Sequence, residues 1–131
     1  MRANEEYELS KAISKYLKHA YPKVIFRFDM AGLNLSKAQA GQNKAIQHSR
    51  AYPDLFILED RVCEDMHSHG LFIELKKEGT RIYKQNGDFA SPHLQEQWNM
   101  LQQLIKVGYL AKFAVGFNEA KFIIDSYLRG F

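Results

Sequence analysis

The sequence is short of several features that would place a protein in a specialised class. Its 131 residues include one cysteine, Cys63, so the chain cannot form a disulfide with itself. No apolar run approaches the roughly 20 residues that a membrane-spanning helix requires, so we expect no membrane partner. The opening stretch MRANEEYELS is polar and acidic, and we therefore expect no secretory signal there. Together these absences predict a cytoplasmic protein whose thiol stays reduced.

The composition that remains is that of an ordinary globular domain. Hydrophobic residues make up 46% of the chain and charged residues 25%, which argues against a disordered chain. The sequence has no internal repeat and no clear linker, and 131 residues are enough to bury a core. Residues 1–131 are therefore predicted to form a single domain.

Basic residues are gathered in two segments, although the formal net charge is only +3. The segment between Asp29 and Asp54 contains no acidic residue, and its cations are Lys37, Lys44 and Arg50. A second group comprises Lys76, Lys77, Arg81 and Lys84. Both groups suit contacts with phosphates, but modest basic patches are more often solvated loops. Whether residues 30–53 bind a partner or build an interface is left open by their composition.

Periodic apolar residues and capping signals predict three main helices. The first has a cap at Asn4 and ends before Pro22. The second begins at the Ser-Pro pair 91–92 and ends at Gly108. The last has a cap at Asn118. Their apolar stripes are predicted to include Leu94, Trp98, Leu101, Leu104 and Ile105 in the second, and Phe122, Ile123, Tyr127 and Leu128 in the last.

Four apolar runs read as strands, and the order of elements predicts an α/β domain with a mixed central sheet flanked by helices. The strands are residues 24–28, Leu55–Leu58, Leu71–Lys76 and 110–117. The last run is nearly all apolar, which favours a central strand. The polar stretch 59–70 is predicted to be a loop, and a short helix is predicted over Lys37–Ile46.

The stretch GLFIELKK, residues 70–77, ends a buried strand with two charges on one face. Alternate side chains of a strand share a face, so Glu74 and Lys76 point the same way. The side chains on the opposite, core-facing side are Leu71, Ile73 and Leu75. If this strand pairs in antiparallel fashion with the strand that Asp54 precedes, Asp54 lies beside Glu74 and Lys76.

Two carboxylates held together resist ionisation unless a cation joins them. A hard divalent ion such as Mg²⁺ takes oxygen ligands of this kind and leaves room for waters and phosphate oxygens. A neighbouring lysine can orient the attacking water or offset charge on a phosphate. Asp54, Glu74 and Lys76 therefore have the parts needed for metal-assisted phosphodiester hydrolysis.

The PD pair at 53–54 and the ELK triplet at 74–76 resemble the PD-(D/E)XK nuclease signature. The resemblance continues in the stretch SPHLQEQ at 91–97 and in the apolar strand after it. With Glu6 on the first helix, nearly the whole chain resembles a VRR-NUC domain of the small stand-alone type found in phages and prophages. This resemblance implies a restriction-endonuclease-like αβββαβ core, and a chain of phage or prophage origin in a bacterial host.

The resemblance implies a role for each matching position. Asp54 and Glu74 correspond to metal ligands, and the backbone carbonyl of Leu75 to a third. Lys76 corresponds to the residue that acts on the attacking water. Gln97 corresponds to a residue that lines the site from its helix. The expected cofactor is Mg²⁺ or Mn²⁺, with the number of ions per site left open.

A fifth candidate, Glu6, matches the N-terminal acid of the family and is implied as a ligand of a second metal or of a metal-bound water. Glu5 and Glu8 are near it in sequence and remain alternatives. The resemblance also implies DNA as the substrate, in branched structures such as four-way junctions, and a symmetric homodimer. The residues expected to contact DNA are Lys37, Lys44, Arg50 and Lys77.

Other interpretations compete with the nuclease hypothesis. Taken alone, Asp54 is typical of a turn after proline, and Glu74 and Lys76 of the solvent face of a strand. A module that binds branched DNA without cutting it is the main functional alternative, and a purely structural protein has little support. The spacing Cys63-x₃-His67-x-His69 is not a standard structural zinc pattern. Although His93 is a further candidate ligand, a polar loop is the favoured interpretation of that stretch.

Overall fold

A mixed four-stranded sheet forms the centre of the computed structural model, which describes residues 2–29, 36–63 and 66–130. The helices are α1 (Arg2–Ala20), α2 (Lys37–Ile46), α3 (Pro92–Lys106) and α4 (Gly116–Arg129). The strands are β1 (Ile25–Phe28), β2 (Leu55–Leu58), β3 (Arg61–Cys63), β4 (Met66–Ser68), β5 (Leu71–Lys76) and β6 (Leu110–Val115). The α/β class and the mixed sheet flanked by helices are therefore confirmed.

The sheet has the strand order β1-β2-β5-β6. β1, β2 and β5 pair in antiparallel fashion, and β5 pairs with β6 in parallel. This topology places the ends of β1 and β5 and the start of β2 at the same edge of the sheet, since antiparallel neighbours run in opposite directions. That edge is where the carboxylates of Asp54 and Glu74 were predicted to lie.

Helices cover both faces of the sheet. On one face, Ile13 and Leu17 of α1 and Ile124 of α4 pack on the strand residues Leu55, Ile57, Leu71, Ile73 and Leu75. On the other face, Leu101 of α3 packs on Phe72 and Ala111. Phe72 stacks on its cross-strand partner Phe56, with ring centroids 4.2 Å apart. The predicted alternation of β5 is confirmed, and Glu74 belongs to the face that α3 covers.

β6 lies at the end of the strand order, so the prediction that residues 110–117 form a central strand is wrong. Its apolar composition has another cause. Ala111 is buried against α3, whereas Ala114 is buried on the opposite face of the sheet. An edge strand that is covered on both faces reads like a central one.

Residues 59–70 were predicted to be a loop, but β3 and β4 form a separate two-stranded antiparallel sheet there. Val62 and Met66 are 71% and 70% exposed, so this hairpin buries neither residue in the core. Without a buried face, a strand leaves little hydrophobic periodicity in its sequence.

Two predicted helix caps are wrong as well. α1 begins at Arg2, so Asn4 lies inside the helix. α4 begins at Gly116, whose positive φ of 82° lets the chain turn directly from β6 into the helix. The Val115 N–H then donates to the Glu119 side chain at 3.1 Å, and Asn118 is not the cap.

Two residues of the predicted apolar stripes face solvent. Ile105 is exposed near the end of α3, and Phe122 is 71% exposed on α4. The α4 face that packs on the sheet is instead formed by Ala120, Ile124 and Tyr127. The short helix α2 matches its predicted bounds and is capped by Ser36 and Gln39 in a capping box. Residues 30–35 of the long segment fall outside the described residues.

α1 and α4 are joined through a carboxylate. Asp125 is 8% exposed and accepts hydrogen bonds from the hydroxyls of Tyr16 and Tyr21 at 2.5 and 2.6 Å. Lys121 donates to its other oxygen at 3.0 Å. Burial alone would raise the pKa of Asp125, but these hydrogen bonds hold the pKa below its ordinary value. Since α1 carries Glu6, this contact helps to position one wall of the candidate site.

Candidate active site

Three carboxylates line up across the sheet edge at which β1 and β5 end and β2 begins. Phe28 pairs with Leu55, and Leu55 with Ile73. One residue further along this register, Asp54 lies opposite Glu74. On its other side, the Asp29 backbone N–H donates to the Asp54 carbonyl oxygen at 2.7 Å. The neighbouring position of Asp54 and Glu74 follows from strand pairing, as the sequence suggested.

Asp54 is held in place by the strand beside it. Its Oδ2 atom accepts a hydrogen bond from the backbone N–H of Leu75 at 2.8 Å. Leu75 lines the same pocket as Asp54, while its side chain contributes to the core. The residue whose carbonyl is an expected third ligand therefore lies at the site.

Glu74 is a buried acid whose hydrogen bonding is incomplete. It is 5% exposed, and Gln97 of α3 is 6% exposed. Gln97 Nε2 donates to Glu74 Oε2 at 3.0 Å. Among the described residues, neither Glu74 Oε1 nor Gln97 Oε1 has a hydrogen-bond partner. Buried oxygens of this kind are costly unless a partner satisfies them, so the site is built to receive a donor or a cation.

Lys76 is the cation nearest to this pair. Its side chain is 15% exposed, and Nζ lies 3.7 Å from Glu74 Oε2. The distance exceeds that of a direct hydrogen bond, so the ammonium attracts the carboxylate without satisfying it. At this distance from Glu74, the Nζ atom of Lys76 can also contact a water or a phosphate oxygen.

The two carboxyl groups hold protons more tightly than ordinary ones. Burial, reinforced by the adjacent Asp54 carboxylate, raises the pKa of Glu74 well above its usual 4.5. Burial also raises the pKa of Asp54, although a hydrogen bond with the Glu74 carboxyl, the Leu75 N–H and the Lys76 charge oppose the rise. The pair therefore favours a shared proton when no cation is bound.

A pocket beside the pair adds two more acids. It is lined by Asp54, Leu75 and Leu9, by Tyr7 and Ser10, and by the carboxylates of Glu6 and Asp29. Of the three acids at the start of α1, Glu6 lines this pocket. Glu5 instead pairs with Lys77 at 3.2 Å. This placement favours Glu6 over Glu5 and Glu8 as the helix acid.

Asp29 is the site residue that the sequence analysis missed. The sequence did contain an indication of its position, because Asp29 directly follows the strand 25–28. The end of that strand lies beside the start of its antiparallel neighbour. The pairing of β1 with β2 was needed to recognise it. The segment between the two strands gave no indication of their polarity.

The side chains of this edge offer the type of ligand atom that a hard divalent cation takes. The side-chain ligand atoms offered here are oxygens, from the carboxylates of Glu6, Asp29, Asp54 and Glu74. Mg²⁺ and Mn²⁺ prefer oxygen ligands in proteins. A bound cation would offset the repulsion among these carboxylates, and Glu74 Oε1 is a buried oxygen that still lacks a partner among the described residues.

The predicted DNA-contacting residues are distributed unevenly. Lys44 and Arg50 line a groove that also includes Asp29, so it adjoins the acidic pocket. Arg50 forms a two-point ion pair with Glu96, at 2.9 and 3.1 Å. Lys37 is exposed on α2 but does not line this groove. Exposed ion pairs such as those of Arg50 and Lys77 are weak, so a phosphate can compete for either cation.

No protein-family model and no curated protein matches the chain. A solved structure named "VRR_NUC domain protein" aligns with it at a TM-score of 0.62 and 23% sequence identity. The alignment covers 95% of this chain and 88% of that one. The two chains share a fold. Among the described residues, no helix is long and apolar enough to cross a membrane.

Proposed function

We propose that the chain is a metal-dependent DNA endonuclease, a VRR-NUC domain of the PD-(D/E)XK superfamily that hydrolyses phosphodiester bonds. The observation that carries the proposal is the buried, incompletely satisfied Glu74 beside Asp54, with Lys76 Nζ 3.7 Å from Glu74. A carboxylate pair that is only structural has no need of a buried oxygen without a partner. The name of the structural neighbour supports the same interpretation.

Each residue has a chemical role in this proposal. Asp54, Glu74 and the Leu75 carbonyl would hold Mg²⁺ or Mn²⁺, and Glu6 and Asp29 would bind a second ion or its waters. When bound, the ion would supply Lewis-acid activation of a water and would offset negative charge on the phosphate. Gln97 fixes the orientation of Glu74 through its 3.0 Å hydrogen bond.

Lys76 provides the positive charge at the reacting centre. Its ammonium donates a hydrogen bond to the attacking water or to a non-bridging phosphate oxygen, where negative charge develops as the phosphorus is attacked. The Lys76 side chain is only 15% exposed, so the charged group has little freedom to move away. This restraint lowers the cost of placing it against the substrate.

Lys76→Ala is expected to reduce metal-dependent cleavage at least about 100-fold, because the charge that stabilises the transition state is lost. Labelled four-way junction, flap, duplex and single-stranded DNA would each be incubated with Mg²⁺, Mn²⁺ or EDTA. Lys112→Ala, which removes an exposed lysine of β6 that does not line the acidic pocket, is the matched control. Undiminished cleavage by Lys76→Ala would refute the role assigned to Lys76.

The same substrates separate two functions of the groove lined by Lys44 and Arg50. We propose that it guides the DNA backbone toward the pocket and that branched DNA is preferred, with cleavage of the four-way junction faster than that of duplex. Tight binding to junctions with no product under any metal would instead favour the non-catalytic binding module.

We also propose that two copies of the chain form a symmetric homodimer, because paired cuts in a junction require two sites related by a two-fold axis. Light scattering at micromolar concentration is expected to give twice the 15.2 kDa mass of the chain. A monomer mass that persists when junction DNA is added would contradict the dimer and leave the cleavage chemistry unaffected.

A further inference from the structure

The β3–β4 hairpin carries a second group of potential metal ligands, apart from the acidic pocket. Arg61 pairs with Ser68 in this hairpin. One residue beyond that pair, Asp60 and His69 lie at opposite positions of the two chains. His67 is two residues before His69, so both imidazoles share a face. The ladder therefore brings Asp60, His67 and His69 together at the base of the hairpin.

The three side chains are close enough to share one ion, which would replace the hydrogen bond that now joins His67 and Asp60. One ligand atom from each residue lies within 4.8 Å of the other two. His67 Nε2 is 2.5 Å from Asp60 Oδ1, and His69 Nδ1 is 3.7 Å from the same oxygen. The two imidazole centroids are 4.7 Å apart. Each side chain is about half exposed, so an ion can reach the group from solvent.

The backbone that carries these ligands is anchored on both sides. The Tyr127 hydroxyl donates to the Glu59 carbonyl at 2.6 Å, immediately before Asp60. Between the two histidines, the Ser68 hydroxyl donates to the Gly70 carbonyl at 2.8 Å and accepts from the Leu110 N–H at 3.1 Å. The strand positions of the ligands are therefore fixed to α4 and to the start of β6.

The ring of His69 is also positioned by its neighbours. Its backbone N–H donates to the Gly108 carbonyl at 2.8 Å. A Cβ at Gly108 would lie 2.5 Å from His69 Cδ2, so the missing side chain leaves the space that the ring occupies. Tyr109 packs edge-on against the ring at 5.7 Å. Little rearrangement is needed for His69 to act as a ligand, which favours binding.

We propose that Asp60, His67 and His69 bind one late-transition divalent ion, of which Zn²⁺ is the probe of choice, with water as the remaining ligand. Two imidazoles and a carboxylate suit Zn²⁺, Ni²⁺ or Cu²⁺, whereas the all-oxygen acidic pocket suits Mg²⁺. The ion would clamp the base of the hairpin, because Asp60 precedes β3 and His69 follows β4. The inference is independent of the proposed nuclease function.

The test is a calorimetric titration of Zn²⁺ into the full chain, without Mg²⁺ and without DNA. The wild type is expected to bind one equivalent at this site, with affinity reduced at least about tenfold in both His67→Ala and His69→Ala. Asp60→Asn is expected to weaken binding as well. His48→Ala removes an exposed imidazole that lies outside the group and is expected to leave binding unchanged.

A second set of variants separates this site from the acidic pocket. Asp54→Asn with Glu74→Gln is expected to retain the same high-affinity Zn²⁺ equivalent, since neither residue belongs to the hairpin group. Circular dichroism of each variant verifies that the fold is kept. Absence of stoichiometric Zn²⁺ binding by the wild type, or binding that persists in His67→Ala with His69→Ala, would overturn the proposal.

Discussion

Glu74→Gln is expected to abolish DNA cleavage and, at the same time, to make the metal-free protein harder to unfold. Cleavage falls because the amide cannot replace a carboxylate as a metal ligand, and a metal at such a site is worth several kcal/mol of transition-state stabilisation. A loss of at least about 100-fold corresponds to about 2.7 kcal/mol. One substitution therefore separates a cost to activity from a gain in stability.

The gain in stability follows from the burial of Glu74. The side chain is 5% exposed, and burial raises the pKa of its carboxyl well above 4.5. At neutral pH, folding must either bury the charge or take up a proton, and each unit by which the pKa is raised costs about 1.4 kcal/mol. Glutamine has nearly the same shape and no charge, so this cost disappears.

Urea denaturation in EDTA at neutral pH measures the effect on the free energy of unfolding. Glu96→Gln is a control at a carboxyl whose pKa is shifted in the opposite direction, because the hydrogen bond from Arg50 lowers the pKa of Glu96. That variant is expected to gain no stability. A Glu74→Gln protein that is less stable than the wild type would show that the carboxylate is satisfied by contacts other than those of the site described.

The sequence was most informative where local pattern and global packing agree. The alternation in GLFIELKK correctly predicted which side chains of β5 share a face, because successive side chains of a strand point to opposite faces of the sheet. The same argument brought Asp54 beside Glu74, once an antiparallel pair was assumed. Gln97 was expected to line the site from its helix, and it is buried beside Glu74.

Hydrophobic periodicity failed to predict the structure where the burial of side chains does not follow the period of the strand. It also failed where the residues in contact are distant in sequence. None of the described side chains of β3 and β4 is buried, so these strands leave no periodic signal, and the pairing of Asp60 with two histidines could not be predicted from the sequence. Asp29 became a site residue only through the pairing of β1 with β2. The apolar run of β6 reports that both faces are covered, not that the strand is central.

The metal-free protein is expected to lose stability as the pH rises above about 4.5, the ordinary pKa of a glutamate, which is the reverse of the usual behaviour of paired carboxylates. Burial raises the pKa of Glu74 and of Asp54 above their ordinary 4.5 and 3.8. The folded chain therefore binds more protons than the unfolded chain over this range. Stability is full below the ordinary values and declines until the pH passes the raised ones.

Asp125 contributes the opposite trend at lower pH. Its hydrogen bonds hold its pKa below 3.8 against the effect of burial, so the stability that it contributes is lost only as the pH falls below that value. The two effects act in separate pH windows, one above the ordinary pKa of Glu74 and the other below that of Asp125. An Asp125→Asn variant would alter the acid limb of the profile and leave the decline at higher pH unchanged.

Thermal unfolding in EDTA across this pH range tests the linkage, with Glu74→Gln as the decisive variant. Its profile is expected to be flatter than that of the wild type, because the most strongly perturbed proton is absent. Saturating Mg²⁺ is expected to flatten the wild-type profile as well, since a bound cation replaces the proton and stabilises the folded state by mass action. If Mg²⁺ raises the melting temperature of Glu74→Gln as much as that of the wild type, the ion is bound elsewhere and Glu74 is not its ligand.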